Sequence, residues 1–249
     1  MDKNYWEKIA PSYNEEIFDV LRNDKKGLIK SALKKYSSKN KTVIDIGCAV
    51  GKWIPVLSPL FKKVFALDLS KKNIEIARSN HASFRNVAYL NSNMSKNKKE
   101  IPRCDVALCI NAILTGSLKE RSLFFKSLPQ SLKNDGYLIL VVPSLESAML
   151  AKMTNNQFRV DKTLLTKRTS PGKAFEKLSQ LLQGNVEIDN VPTKHYLKEE
   201  LLYLLKNEGF RLRDVKKIEY GWETEFTNPP RWLKDPYPWD WLVIAQKIK

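Results

Sequence analysis

The residues best placed to do chemistry are two carboxylates, Asp45 and Asp68, and the small-residue stretch that follows the first of them. That stretch reads Val43-Ile44-Asp45-Ile46-Gly47-Cys48-Ala49-Val50-Gly51-Lys52. An apolar run ends at an acid, passes into a tight turn and leads into a helix. Gly47 and Gly51 let the backbone turn sharply and approach a ligand closely. Amides at the start of the next helix point into the crevice above the strand ends, where open α/β sheets take their ligands. Asp68 ends the next apolar run, 23 residues after Asp45. A carboxylate there can accept hydrogen bonds from both hydroxyls of a ribose. The plainer alternative is that the glycines serve only the turn and that Asp68 flanks and caps a helix.

Positioning these groups requires alternating strands and helices. Thr42–Ile46, Lys63–Leu67, Asn86–Leu90, Asp105–Ile110 and Tyr137–Val142 read as five strands, rich in Val, Ile and Leu on both faces, as in parallel strands covered by helices. Trp53–Phe61, Lys71–Asn80 and Leu118–Leu132 read as the helices between them. Ser70 and Ser117 are expected as N-caps, and Ser117 with Glu120 has capping-box spacing. One or two helices precede them over Tyr5–Tyr36, with Gly27 a break. After Pro143 the rhythm stops for about 50 residues, too long for an unstructured loop. The expectation there is an inserted cap, 144–194, with helices near Leu145–Met153 and Ala174–Leu182 and a hairpin pairing Phe158–Leu165 with Val186–Val191. Lys198–Glu208 then reads as a helix ended by Gly209. Phe210–Tyr220 and Trp239–Lys247 close the fold as strands, with a turn at Asn228-Pro229-Pro230. The reading is one α/β domain over 1–249: a helical segment 1–40, a ligand-binding core 41–143, the cap, and closing elements 195–249.

The stretch Asp45-Ile-Gly47-Cys48-Ala49-Val-Gly51 resembles the first motif of the class I S-adenosylmethionine-dependent methyltransferases, with Ala49 in place of the middle glycine. Phe65-Ala66-Leu67-Asp68-Leu69-Ser70 resembles the second motif, and Tyr89 to Met94 occupies the place of the third. Cys104 to Asn111 is similar to the fourth strand and its cofactor-facing end. The resemblance implies a doubly wound, seven-stranded, mostly parallel sheet of order 3-2-1-4-5-7-6, the seventh strand antiparallel. It also implies S-adenosylmethionine as cofactor, S-adenosylhomocysteine as product, and in-line methyl transfer. In that frame Asp45 orients the methionine part, Asp68 holds the ribose, Leu69 and Met94 flank the adenine, and Asn93 accepts from the adenine amino group. Gly47, Cys48, Gly51, Ile110 and Asn111 line the remainder. Tyr13 resembles the residue that covers the cofactor in some small-molecule members; helix packing is the alternative for Tyr13, and core packing for Leu69 and Met94.

The acceptor is less legible. A small-molecule acceptor is favoured, because a 50-residue cap suits a pocket of that kind. An RNA methyltransferase is the alternative, since Lys plus Arg is 43 against 27 acids, a net charge of +16. Only 10 of the 43 are Arg, the better residue for reading phosphates and bases, and the Lys are scattered apart from clusters such as Lys96, Lys98 and Lys99. A nicotinamide-dependent oxidoreductase would need Gly-x-Gly-x-x-Gly, whereas the glycines here stand four apart; a non-catalytic cofactor-binding protein is a further alternative. His195 is a weak catalytic candidate, because a lone His before a helix is more often a surface or capping group. Cys48, Cys104 and Cys109 read as buried hydrophobes in a reducing, cytoplasmic setting, and no metal site is expected. No apolar run approaches membrane-spanning length. The aromatic tail, Trp222, Phe226, Trp232, Tyr237, Trp239 and Trp241, could stack bases, form a lid or pack the core, with packing favoured for the last two.

Overall fold

The computed structural model describes residues 3–96, 101–165, 170–188 and 191–248. Lys98 and Lys99 of the basic cluster lie outside them. Among the described residues nine strands form: β1 (Ser38–Ile46), β2 (Phe61–Asp68), β3 (Val87–Asn91), β4 (Cys104–Ile110), β5 (Leu132–Pro143), β6 (Asn185–Ile188), β7 (Val191–Lys194), β8 (Phe210–Glu219) and β9 (Trp239–Lys247). The main sheet runs β3-β2-β1-β4-β5-β9-β8, the expected order once the β6–β7 pair is set aside. β1 to β5 are mutually parallel, and β9 is antiparallel to both β5 and β8. Among the described residues no helix is long and apolar enough to cross a membrane.

Both faces of the sheet's centre are buried, which is why the inner runs of β1, β4, β5 and β9 are apolar, whereas edge strand β8 carries exposed charged residues. One face packs Ile44, Ile46, Cys109, Leu140, Trp239 and Trp241 with Phe125, Tyr196 and Leu201. The other packs Val43, Val106, Leu108, Ile139 and Leu242 with Ile29, Leu33 and Trp53. Trp239 and Trp241 are core residues, as expected. Of the other tail aromatics, Trp222 stacks on Phe226 at 5.5 Å, and exposed Trp232 meets Phe158 edge-on at 5.2 Å.

The helices are α1 (Lys3–Ile9), α2 (Tyr13–Glu16), α3 (Val20–Asn23), α4 (Leu28–Tyr36), α5 (Ile54–Leu57), α6 (Lys71–Asn80), α7 (Leu118–Ser127), α8 (Leu145–Phe158), α9 (Pro171–Leu182) and α10 (Lys198–Asn207). The N-terminal segment is thus four short pieces rather than one or two helices. Pro11 and local caps break it up: Asp19 accepts from the Arg22 amide, and Asp24 accepts from the Leu28 and Ile29 amides at 2.8 and 2.9 Å. The expected Trp53–Phe61 helix shrinks to α5, since Pro55 suits its first turn but Pro59 disfavours its continuation, and Phe61 already belongs to β2. Likewise Pro129 ends α7 early, in a 3-10 turn. Ser70 and Ser117 do cap α6 and α7, accepting from the Asn73 and Glu120 amides. Glu120 does not close the capping box; its carboxylate accepts from the Thr115 hydroxyl instead.

The expected hairpin in the insertion is corrected. Phe158 ends α8, which runs past Met153 until Arg159 turns left-handed, and the segment beyond it is no strand. The observed antiparallel pair is β6 with β7; residues 189 and 190 between them lie outside the described residues. Gly209 ends α10 at φ +80°.

Candidate functional site

The carboxyl edge of the sheet gathers most of the predicted residues. Register pairs Ile46 with Leu67 and with Cys109, and Asp68 with Asn91, so the ends of β1 to β4 lie side by side. The loop after β1 needs its glycines. At Gly47, φ is +76° and a Cβ would overlap the Ala112 Cβ; at Gly51, φ is +86° and a Cβ would lie 2.7 Å from the His81 ring. Ala49 is itself left-handed at φ +47°, a conformation that costs an L-residue roughly 1–2 kcal/mol. Asp68 anchors this loop. Its Oδ2 accepts from the Ala49 amide at 2.9 Å, while Oδ1 accepts from the Ser70 amide at 2.8 Å and more weakly from Asn73 at 3.4 Å. An ionised carboxylate offers about four acceptor sites, so capacity remains for a ligand hydroxyl, and the long Asn73 bond is the first to yield.

The electrostatics of this edge are unusual. Asp45 is 2% exposed, and burial, followed by the charge of Asp68, pushes its carboxyl up to about 7. Asp68 is also raised, chiefly by burial and against the pull of its amide bonds. Cys48 is buried and its thiol raised by burial and then by Asp68, which makes it unreactive. The Tyr13 phenol enters the same group. Burial raises its pKa first, and the carboxylates of Asp68 and Asp45 add to that. The segment carrying Tyr13 is tied down at two points, Glu7 accepting from the Lys71 amide at 2.7 Å and Lys52 pairing with Asp19 at 3.0 Å.

Unsatisfied atoms mark the edge further. Among the described residues five buried side-chain polar atoms have no hydrogen-bond partner, and four of them stand here: Asp45 Oδ2, Asn73 Oδ1, Ser92 Oγ and Asn111 Oδ1. Orphans normally scatter and are rare. Three of these four can only accept, so the crevice suits a ligand rich in donors, and an amino group with a ribose diol fits that requirement. Asn111, at φ +47°, donates instead to Asp240 Oδ2 at 3.2 Å. Two surface cavities, of about 210 Å³ beside Asp135 and about 140 Å³ beside Tyr36, lie away from this edge.

Not every predicted residue joins the group. Leu69 and Ile110 are half-buried at the ends of β2 and β4. Met94 is 2% exposed within the core cluster of Ile46 and Leu67. Asn93 Oδ1 already accepts from the Ser95 amide at 2.8 Å. His195 is neither at the surface nor a cap. It is buried just after β7, its Nδ1 shares a hydrogen bond with the Thr193 carbonyl at 3.0 Å, and burial lowers its pKa to about 4. Its charged neighbours are Lys152 and Lys194, not the crevice carboxylates. The sequence reading missed Asp240 and Tyr220. Their one sequence signal was an acid between two Trp in an otherwise apolar closing strand.

A methyltransferase-domain family model matches residues 13–212. The chain belongs to the methyltransferase-domain family. This methyltransferase-domain chain also matches many solved structures in fold. One is an S-adenosylmethionine-dependent methyltransferase from Methanosarcina mazei, at 18% identity, TM-score 0.61, over 87% of this chain and 97% of that one. Another is the N-methyltransferase NodS from Bradyrhizobium japonicum WM9 in complex with S-adenosylhomocysteine, at 10% identity, TM-score 0.61, over 99% and 98%. A third is the 1,6-didemethyltoxoflavin-N1-methyltransferase from Burkholderia thailandensis, at 14% identity, TM-score 0.63, over 98% and 88%. No curated protein sequence matches the methyltransferase-domain chain significantly.

Proposed function

We propose that this protein methylates a small molecule with S-adenosylmethionine bound across the ends of β1, β2 and β4. The observation that carries the reading is the concentration of unpartnered buried acceptors beside a glycine-built loop and two carboxylates. The family assignment and the neighbours bound to S-adenosylhomocysteine support it. When bound, the cofactor supplies an electrophilic methyl group on a sulfonium centre.

The chain's own residues divide the work. Asp45 orients the amino group of the methionine part and, with that partner, regains the ionised form that burial opposes. Asp68 takes the ribose, and the loop from Gly47 through Cys48 to Gly51 brings backbone close to the ligand. Leu69 bounds the adenine, Met94 supports it from the core, and Asn93 offers its remaining acceptor capacity to the adenine amino group. Tyr13 covers the crevice and limits water. Its tethers are partly exposed, and such contacts are worth only about 0–1 kcal/mol each, so the cover lifts readily. Ile110 and Asn111 face the acceptor side, with 144–194 as the cap. His195 is left without a catalytic role.

Calorimetric titration with S-adenosylhomocysteine and with NADH tests this. One-to-one binding of the first and none of the second is expected; the reverse would overturn the assignment in favour of a nicotinamide enzyme.

A further inference from the structure

The carboxyl edge holds a second acidic group, beyond Asn111 and away from Asp68. Asp240 at the start of β9 is 8% exposed, and its Oδ2 accepts from Asn111 Nδ2 and, at 2.9 Å, from the Tyr220 hydroxyl. Among the described residues no donor reaches its Oδ1. Glu225 follows the Trp222–Thr224 turn just beyond Tyr220, where its amide donates to the Trp222 carbonyl; its half-buried side chain has no hydrogen bond or ion pair among the described residues, and burial, followed by the charge of Asp240, raises its carboxyl. Burial pushes the Asp240 carboxyl up to about 6. Asn111 adds a buried amide oxygen with no donor. Phe18 packs edge-on against Tyr220 at 4.7 Å, behind the hydroxyl that reaches Asp240.

What is missing here is a positive partner. None of the described Lys and Arg pairs with Asp240 or Glu225. A buried charge is ordinarily paired, because an isolated one is costly. Two acids without a positive partner among the described residues favour a cationic ligand. Anionic acceptors are repelled by the same two charges.

Resting on the methyltransferase reading, we propose that the acceptor is a cationic amine whose ammonium group is held by Asp240 and Glu225, with Asn111 Oδ1 accepting a further hydrogen bond and the Tyr220 ring beside it. Asp240 is the specificity-determining residue. Its two existing bonds fix one oxygen and leave the other for the ligand. An ammonium offers three donors, and the free acceptors here are Asp240 Oδ1, the Glu225 carboxylate and Asn111 Oδ1.

The test is ligand-observed NMR on the full chain, with and without saturating S-adenosylhomocysteine. The probes are benzylamine, cyclohexylmethylamine and tryptamine, each beside the alcohol of the same skeleton, with benzoate as the anion. At least one amine should bind tenfold or more tightly than its alcohol, with no binding of benzoate. That preference should vanish in Asp240→Asn, which keeps an acceptor for Tyr220 and Asn111. Glu225→Gln has no hydrogen bond to lose and should weaken the amine at least threefold, giving a second readout should Asp240→Asn fold poorly. Alcohols binding as well as amines, no amine binding, or amine affinity unchanged in both variants would overturn the proposal. Amine discrimination without S-adenosylhomocysteine binding would instead sink the methyltransferase reading and leave the amine site standing.

Discussion

Two acidic groups share one edge of the sheet, and they are built in opposite ways. Asp45 and Asp68 sit at the ends of consecutive strands, tied by a loop whose amide reaches from one to the other. Asp240, Tyr220 and Asn111 meet across 129 and 20 residues of sequence, on β9 and on the chain just past β8 and β4. The first group is made mainly by backbone, so small residues and left-handed turns carry it. The second is made by side chains, so changes there are expected to alter what binds more than whether the chain folds.

That contrast can be broken at its strongest point first. Gly47→Ala combines a left-handed strain of about 1–2 kcal/mol with overpacking of about 1–3 kcal/mol against Ala112. It should lower unfolding free energy by about 3 kcal/mol in a denaturant titration and abolish cofactor binding. A neutral effect would show that the loop is not held as described. Asp68→Ala comes next. Losing charge-assisted hydrogen bonds of about 1.5–3 kcal/mol should cut S-adenosylhomocysteine affinity tenfold or more by calorimetry, a larger loss than Asp240→Asn causes. Equal losses would erase the distinction between the two groups.

The third prediction concerns pH. Asp45 is raised from the ordinary 3.8 to about 7 and Asp240 to about 6, so the folded chain holds protons that the unfolded chain releases. Their contribution to stability is therefore present near pH 4 and is lost as pH rises through 6 and 7. Unfolding free energy of ligand-free protein should decline less steeply over pH 4–7 in Asp45→Asn than in wild type; parallel curves would contradict the burial argument. The smallest effect belongs to Ala49→Gly. Relief of the left-handed strain is offset by about 0.5–1 kcal/mol of backbone entropy, so chemical denaturation should move by less than about 1 kcal/mol.

The same contrast explains what was legible in the sequence. The strands themselves, the Asp45–Gly51 turn and Asp68 were readable because each is local: an apolar period, a glycine pair, an acid at a strand end; the order of the strands in the sheet came from the family resemblance. The insertion was misread where Arg159 holds a left-handed cap and where β7 pairs back onto Asn185, choices set by tertiary contacts. His195 was read as a surface or capping group, and its burial follows from the strand pair that precedes it. Asp240 could not be placed beside Asn111 without the antiparallel register of β5 with β9, which no local pattern encodes.

The account rests most heavily on where the adenosyl ligand sits, and a crystal structure of the chain grown with S-adenosylhomocysteine measures that directly. The ribose should lie against Asp68, the amino group beside Asp45 Oδ2, and the chain of atoms between them over Gly47. Density for the ligand anywhere else, or an empty edge at saturating concentration, would contradict it.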